Sequence, residues 1–200
     1  MELESKFYIV GNNLSLDFVN TEISSGGRAV NLLENAGDFV VWARVAGLLE
    51  EPQTAELHEK WRGATDEKNL KEVFKFRQML REMFENIEQN KQVSATVAEK
   101  INTVLRRQNG FFEIARAENN FEKRFHADYK EPRDLLAPIA EAAADLLCYG
   151  NLDYVKKCEN ESCVLHFYDT TKNHSRRWCS MANCGNRAKA KAFYKRNKVK

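Results

Sequence analysis

Cys158-Glu159-Asn160-Glu161-Ser162-Cys163 and, fifteen residues further on, Cys179-Ser180-Met181-Ala182-Asn183-Cys184-Gly185-Asn186-Arg187 carry two C-x4-C pairs near the C-terminus. A tetrahedral Zn²⁺ takes four thiolates, and two short-spaced pairs separated by enough chain to turn back can supply them. The spacing therefore predicts a structural Zn²⁺ held by Cys158, Cys163, Cys179 and Cys184. Between the pairs, Val164 to Tyr168 alternates as a strand does, and Asp169 to Asn173 reads as a polar turn. A knuckle, a hairpin and a second pair opening a helix make a treble-clef-like finger. A module of this size has too small a core to fold securely alone, so metal binding energy becomes folding energy. His166 and His174 are further candidate donors, but the cysteines already fill four positions. Cys148 lies outside the spacing, on the apolar face or edge of the preceding helix, and reads as a small core residue.

Working outward, charge divides the chain. Residues 151–200 hold twelve Lys or Arg against four Asp or Glu, a surplus of +8, whereas residues 1–150 net −6. An acidic body with a basic tail suggests two modules with different partners. No run approaches the ~20 apolar residues of a membrane helix. The N-terminus lacks the basic, apolar, small-residue layout of a secretion signal, so a cytoplasmic location is expected. There thiols stay reduced, and metal binding is favoured over disulfides.

Periodicity gives an α+β body over residues 1–150, mostly helical, with a small antiparallel sheet of three or four strands. Phe7–Val10 and Leu14–Val19 read as a hairpin through Gly11-Asn12-Asn13, with Leu14, Leu16 and Phe18 alternating against Ser15 and Asp17. Ser24 to Gly27 is a loop. Asn35 caps a helix running to about Leu49, and a short helix follows Pro52. Asp66 caps the longest helix, and Ser94 caps another. Phe111–Ala115 and Phe121–Ala127 read as strands joined at Asn119-Asn120. Pro132 opens a last helix, which Gly150 ends in a left-handed cap. The finger fills residues 151–200.

If a helix begins near Cys184, Arg187, Lys191, Lys195 and Lys198 share one face, with Phe193 free to pack on the module. Arg176 and Arg177 precede the third cysteine. Together with Lys189 and Arg196 these residues are the expected phosphate- or base-contacting set, and duplex DNA is the expected partner. A solvated basic tail is the bland reading of the same charges, and an RNA-binding or protein-interaction module is the alternative function. In the body, Asp17, Asn20 and Arg77 are candidate small-ligand residues, although turn hydrogen bonds or an internal salt bridge would explain them equally. Enzyme chemistry finds little support. The chain has no phosphate-cradling glycine loop, no H-E-x-x-H and no G-x-S-x-G, and four cysteines leave a zinc ion no open position.

Asp169-Thr170-Thr171-Lys172-Asn173-His174-Ser175-Arg176-Arg177-Trp178-Cys179, continuing through Cys184-Gly185-Asn186-Arg187-Ala188-Lys189, resembles the signature of the CGNR zinc-finger family. Asn12-Asn13-Leu14-Ser15-Leu16-Asp17-Phe18-Val19-Asn20-Thr21 is similar to the opening of that family's N-terminal ABATE domain. The resemblance implies a bacterial transcription regulator connected with stress response, in which an effector-sensing N-terminal domain carries a DNA-binding finger. A single finger seldom secures specificity alone, so a homodimer is also expected.

Overall fold

The computed structural model describes residues 6–61, 67–118 and 120–197, with the side chains of residues 67–69 left aside. It confirms an α+β, mostly helical chain, but its opening differs from the expected hairpin. Leu14–Val19 is a helix, α1. Asn13 caps it, accepting from the Ser15 amide at 2.9 Å, and the Asp17 carboxylate reaches back to accept from the Val10 and Gly11 amides at 2.8 and 2.7 Å. Ser15, Leu16, Asp17, Phe18 and Val19 are all buried. The polar–apolar alternation is thus not a wet face and a dry face. It belongs to a helix buried all round, whose polar residues satisfy local backbone.

The hairpin comes next, where the sequence suggested only a loop. Strands β1 (Glu22–Ser25) and β2 (Arg28–Asn31) pair through Gly26 and Gly27, both at positive φ. Asn35 caps α2 (Ala36–Val45) as expected, but the helix stops short of Leu49 because Gly47 takes φ 77° just beyond it. Helix α3 is Glu51–Trp61 and α4 is Glu67–Asn90. The expected cap at Asp66 lies outside the described residues. Ser94 caps α5 (Ala95–Leu105). Strands β3 (Gly110–Arg116) and β4 (Phe121–Ala127) pair antiparallel. Pro132 opens a 3₁₀ turn that runs into α6 (Leu136–Tyr149). Gly150 ends α6 with φ −82° and ψ 157°, an extended residue rather than the expected left-handed one.

The three or four strands expected in one sheet are instead separate two-stranded ladders. The third joins β5 (Val155–Lys157) to β6 (His166–Tyr168). Because β5 ends at the first cysteine pair and β6 follows it, the Cys158–Cys163 knuckle forms the connection of this hairpin, where the sequence placed the two in succession. A π-turn over Met181–Gly185 then feeds α7 (Asn186–Asn197). Among the described residues no helix is long and apolar enough to cross a membrane.

Phe18, Phe39 and Trp42 meet at the centre of the body, with ring centroids 5.4–5.7 Å apart, and Leu80, Phe84, Ile87, Leu136 and Ile139 close around them. The smaller core of the finger gathers Leu165 and Phe167 about the cysteines. A seam of hydrogen bonds joins the two. Asn20, fully buried, donates to the His166 carbonyl at 2.8 Å and accepts from the His166 amide at 2.9 Å. The Tyr168 amide donates to the Gly11 carbonyl at 2.7 Å. Arg81 donates to Val19, Glu22 and Val164 carbonyls, tying the end of α1, the first hairpin and the finger to α4. Replacing Asn20 with Ala strands a buried amide and a buried carbonyl, at a cost of about 2–4 kcal/mol. Urea unfolding of Asn20→Ala will show that loss, while Ala at Asn90, whose hydrogen bond to Asn86 is exposed, will leave stability unchanged.

Candidate metal centre and nucleic-acid interface

The Sγ atoms of Cys158, Cys163, Cys179 and Cys184 all lie within 4.8 Å of one another. Cys163 and Cys179 are 3.8 Å apart, and Cys179 and Cys184 are 3.6 Å apart. A regular tetrahedron of Zn–S bonds near 2.3 Å has edges of about 3.8 Å. The separations therefore fit one tetrahedral ion, and all four cysteines are free of disulfides. Crowding sets the proton chemistry. Hydrogen bonds from the Cys163 and Cys179 thiols pull Cys158 strongly down, and the contact with Cys158 pushes Cys163 and Cys179 up. Four thiolates at these distances need a cation among them. The histidines stay outside the cluster. His166 is fully buried on β6, and the His174 Nδ1 lies 2.9 Å from the Asp169 carbonyl, with its ring stacked on Tyr154.

Asp169 organises the loop that leads to the second pair. Its buried carboxylate takes Lys156 Nζ at 2.7 Å, Thr171 Oγ1 at 2.6 Å and the Arg176 amide at 2.9 Å. Burial alone would raise this carboxyl, but those bonds hold it well below the usual range. The loop delivers Arg176 to the interior. Its guanidinium donates to the carbonyls of Trp178 at 3.0 Å, Val10 at 2.8 Å and Cys179, and it lies 4.1 Å above the Phe167 ring. Burial lowers its pKa, and Cys179, Asp169, Cys158 and Asp17 pull it back up. Arg176, which the sequence placed among the nucleic-acid contacts, is thus half-buried and engaged with three carbonyls. A guanidinium holding three carbonyls beside the thiols braces the metal loop and docks it on the body.

The other basic candidates are exposed. Arg177 pairs with Glu159, with Nε 2.6 Å from the carboxylate, and lies over the Trp178 ring. Lys191 pairs with Glu161 at 2.8 Å. Both pairs border a cleft of about 600 Å³ between the knuckle and α7, onto which Arg187 and Lys195 also face. Lys189 and Arg196 stand on the far side of α7. No residue of α7 is buried; it contacts the turn that leads into it and reaches the knuckle through Lys191 and Glu161. Phe193 and Tyr194, at 54% and 68% exposure, touch each other edge-on, so Phe193 does not pack on the module as expected. Lys198, expected on the same face, lies outside the described residues.

The three small-ligand candidates are bonded within the chain. Asn20 forms the seam to His166. Arg77 is buried and donates to Thr21 Oγ1 at 2.9 Å and Asn31 Oδ1 at 2.8 Å, with Glu22 at 3.2 Å. Burial brings its pKa down to about 10 against the pull of Glu22. Asp17 fixes the chain entering α1, and burial raises its pKa to about 6 despite the Val10 and Gly11 amides. Their polar groups build the fold and do not converge on a pocket. Sequence reading missed Arg81 and the anchoring role of Asp169. Arg81 follows Arg77 by one helical turn on the buried stripe of α4, and that repeat of a buried cation was the available signal.

With this geometry in place, family models match both parts of the chain. One, for the ABATE domain, described as "Putative stress-induced transcription regulator", covers residues 12–150. Another, the CGNR zinc finger, covers residues 154–197. The chain belongs to the ABATE family. No match to a curated protein accompanies these. The ABATE region is the helical body, and the CGNR finger holds the four-cysteine cluster, the loop anchored by Asp169 and the basic helix. The boundary between the two models falls beside the Asn20–His166 seam in space, so the finger is docked on the ABATE domain, not strung from it.

Asp17 gives this docking a pH signature. A carboxyl whose folded pKa lies above its unfolded value adds stability below the unfolded pKa, and that contribution is lost as pH rises through about 6. The native chain will lose stability on the order of 2–3 kcal/mol relative to Asp17→Asn, mostly between roughly pH 4 and pH 6. Denaturant melts of both proteins across that window check the sign.

Proposed function

We propose that this protein is a DNA-binding transcription regulator whose CGNR finger is folded by a structural Zn²⁺ and reads duplex DNA through α7. One observation carries the reading: α7 has no buried residue, Arg187, Lys189, Lys195 and Arg196 form no ion pair among the described residues, and residues 170–197 contain no Asp or Glu. A helix of 12 residues is about 18 Å long and fits a major groove about 12 Å wide. It is also marginal on its own, so contact with phosphates would add order that internal packing does not supply.

Within this reading the residues have separate tasks. The four cysteines hold the metal, whose chemistry here is structural. Asp169 and Arg176 fix the loop that leads into the second cysteine pair. Arg187, Lys189, Lys195 and Arg196 make the nucleic-acid contacts. Arg177 and Lys191 join them when phosphate displaces Glu159 and Glu161, an exchange between exposed groups that costs little in water. The ABATE domain sets the orientation of the finger through Asn20, Arg81 and the Val10 carbonyl, and a small effector acting on the body would be felt through that seam. The protein works as a binder rather than as an enzyme, in the cytoplasm.

Duplex binding followed by anisotropy across a salt series tests this. The native chain will show a steep fall with salt, and changing Arg187, Lys189, Lys195 and Arg196 together to Ala will reduce the slope by about 3–4, near 0.9 for each lost phosphate contact. Unchanged affinity and slope in that variant would contradict the proposed surface, and a preference for structured RNA over duplex DNA would favour the other nucleic acid.

A further inference from the structure

One sulfur of the cluster is within reach of solvent. Cys158, Cys179 and Cys184 are 4%, 4% and 5% exposed, whereas Cys163 is only partly covered. The opening is a cavity of about 120 Å³ in the seam between body and finger, with Cys163, Cys179 and Cys184 in its wall. The body contributes Tyr8 and the β1 residues Ile23 and Ser24 to the same wall. At roughly 30 Å³ per water, the space admits a few molecules of that size.

Three conditions make a cysteine a target for two-electron oxidation: a thiolate, access, and a second sulfur close enough to complete a disulfide. Cys163 meets all three. A coordinating thiol is deprotonated outright, so the ion that the cluster fits supplies the thiolate. The cavity supplies access. The Cys179 sulfur lies 3.8 Å away on the same wall. Cys148 is exposed near the end of α6, against the expectation of a core residue, but it stands outside the cluster.

We propose that Cys163 is a site of oxidative modification by hydroperoxides, and that Cys179 resolves it to a Cys163–Cys179 disulfide that unloads the finger. In the first step the Cys163 thiolate attacks a peroxide oxygen. An S–O bond forms, the O–O bond breaks and hydroxide leaves, so the sulfur gives up two electrons and becomes a sulfenic acid. In the second step the Cys179 thiolate attacks that sulfur. The S–S bond forms, the S–O bond breaks and a second hydroxide leaves. Two thiolates and one hydrogen peroxide thus give one disulfide and two hydroxides. The Ser24 and Ser162 hydroxyls and the Arg187 guanidinium in the wall are donors of the kind that stabilise a departing hydroxide.

The new bond takes one sulfur from each C-x4-C pair and leaves only Cys158 and Cys184 as ligands, short of the four that a structural zinc site uses. The turn that feeds α7 then loses its anchor. Because Tyr8, Ile23 and Ser24 frame the opening, the body sets how fast the finger is oxidised. The inference rests on the metal reading of the four cysteines and is independent of what α7 binds.

The reduced, zinc-loaded full chain carrying Cys148→Ser, in which the four ligands are the remaining thiols, tests it. Hydrogen peroxide is added beside a colorimetric zinc chelator and, in a parallel sample, a cyclic diketone that traps sulfenic acids. Zinc will stay bound without peroxide and will appear with it, in step with the loss of two thiols per chain. The diketone will mark Cys163, and peptide mapping after cleavage at Glu159 and Glu161 will find Cys163 linked to Cys179. Dithiothreitol with added zinc will restore both contents. Tyr8→Ala, which widens the opening, will speed the release, while Tyr149→Ala, at a side chain 86% exposed on α6, will leave its rate unchanged. A first diketone mark on Cys158, Cys179 or Cys184, a disulfide within either C-x4-C pair, or a rate untouched by Tyr8→Ala would overturn the proposal. A chain holding no zinc before peroxide is added would overturn the metal reading and the proposal together, a failure visible before the oxidant is used.

Discussion

Four sulfurs within 4.8 Å of each other set the constraint on which the basic helix depends. Left to themselves they can ionise only in part, because each thiolate raises the next. A cation among them removes that conflict and converts two loops into a scaffold. The finger's own apolar cluster is small: Leu165 and Phe167 are its buried members besides Cys158, Cys179 and Cys184, while Val155 packs into the body. The core meets α7 through Cys184, in the turn that feeds the helix, so the direction of the helix is set there.

The finger is not an independent bead. Its strand β6 is read by Asn20, its knuckle side by Arg81, and its loop by Arg176 through the Val10 carbonyl. Two of these three are buried or half-buried cations held mostly by carbonyls, with Glu22 3.5 Å from Arg81 adding an ion pair. The same region contains Asp17, Arg77 and Glu22, so the joint between body and finger is the most polar interior of the molecule. Such networks specify one arrangement more than they add stability. That suits the proposed reading, in which the finger presents a helix at a fixed angle.

Much of this was legible from sequence where one residue type had one physical use. The cysteine spacing led to the cluster. Asn35 and Ser94 led to real caps. The run Phe111–Ala127 led to a real hairpin, because period-2 alternation there separates a charged face from an apolar one. Reading failed where a polar residue sat inside. Ser15 and Asp17 mimic the wet side of a strand because Asp17 accepts from the amides of residues 10 and 11 and Ser15 donates to the Asn13 side chain, none of which a periodicity count weighs. Arg176 looked like its neighbour Arg177, and only tertiary placement shows that one faces carbonyls and the other solvent. Gly150 ends its helix in an extended conformation, where a Cβ would come within 2.5 Å of the Leu146 carbonyl, so glycine is there for space, while the left-handed glycine at a helix end is Gly47.

The central claim is that metal folding and nucleic-acid binding are one event. Duplex affinity of the reduced, metal-free full chain, measured as Zn²⁺ is added, tests it most directly. The account predicts binding that rises in step with one equivalent of zinc per chain and is abolished by a chelator. Full affinity before any metal is added, or affinity that ignores the first equivalent, would contradict it.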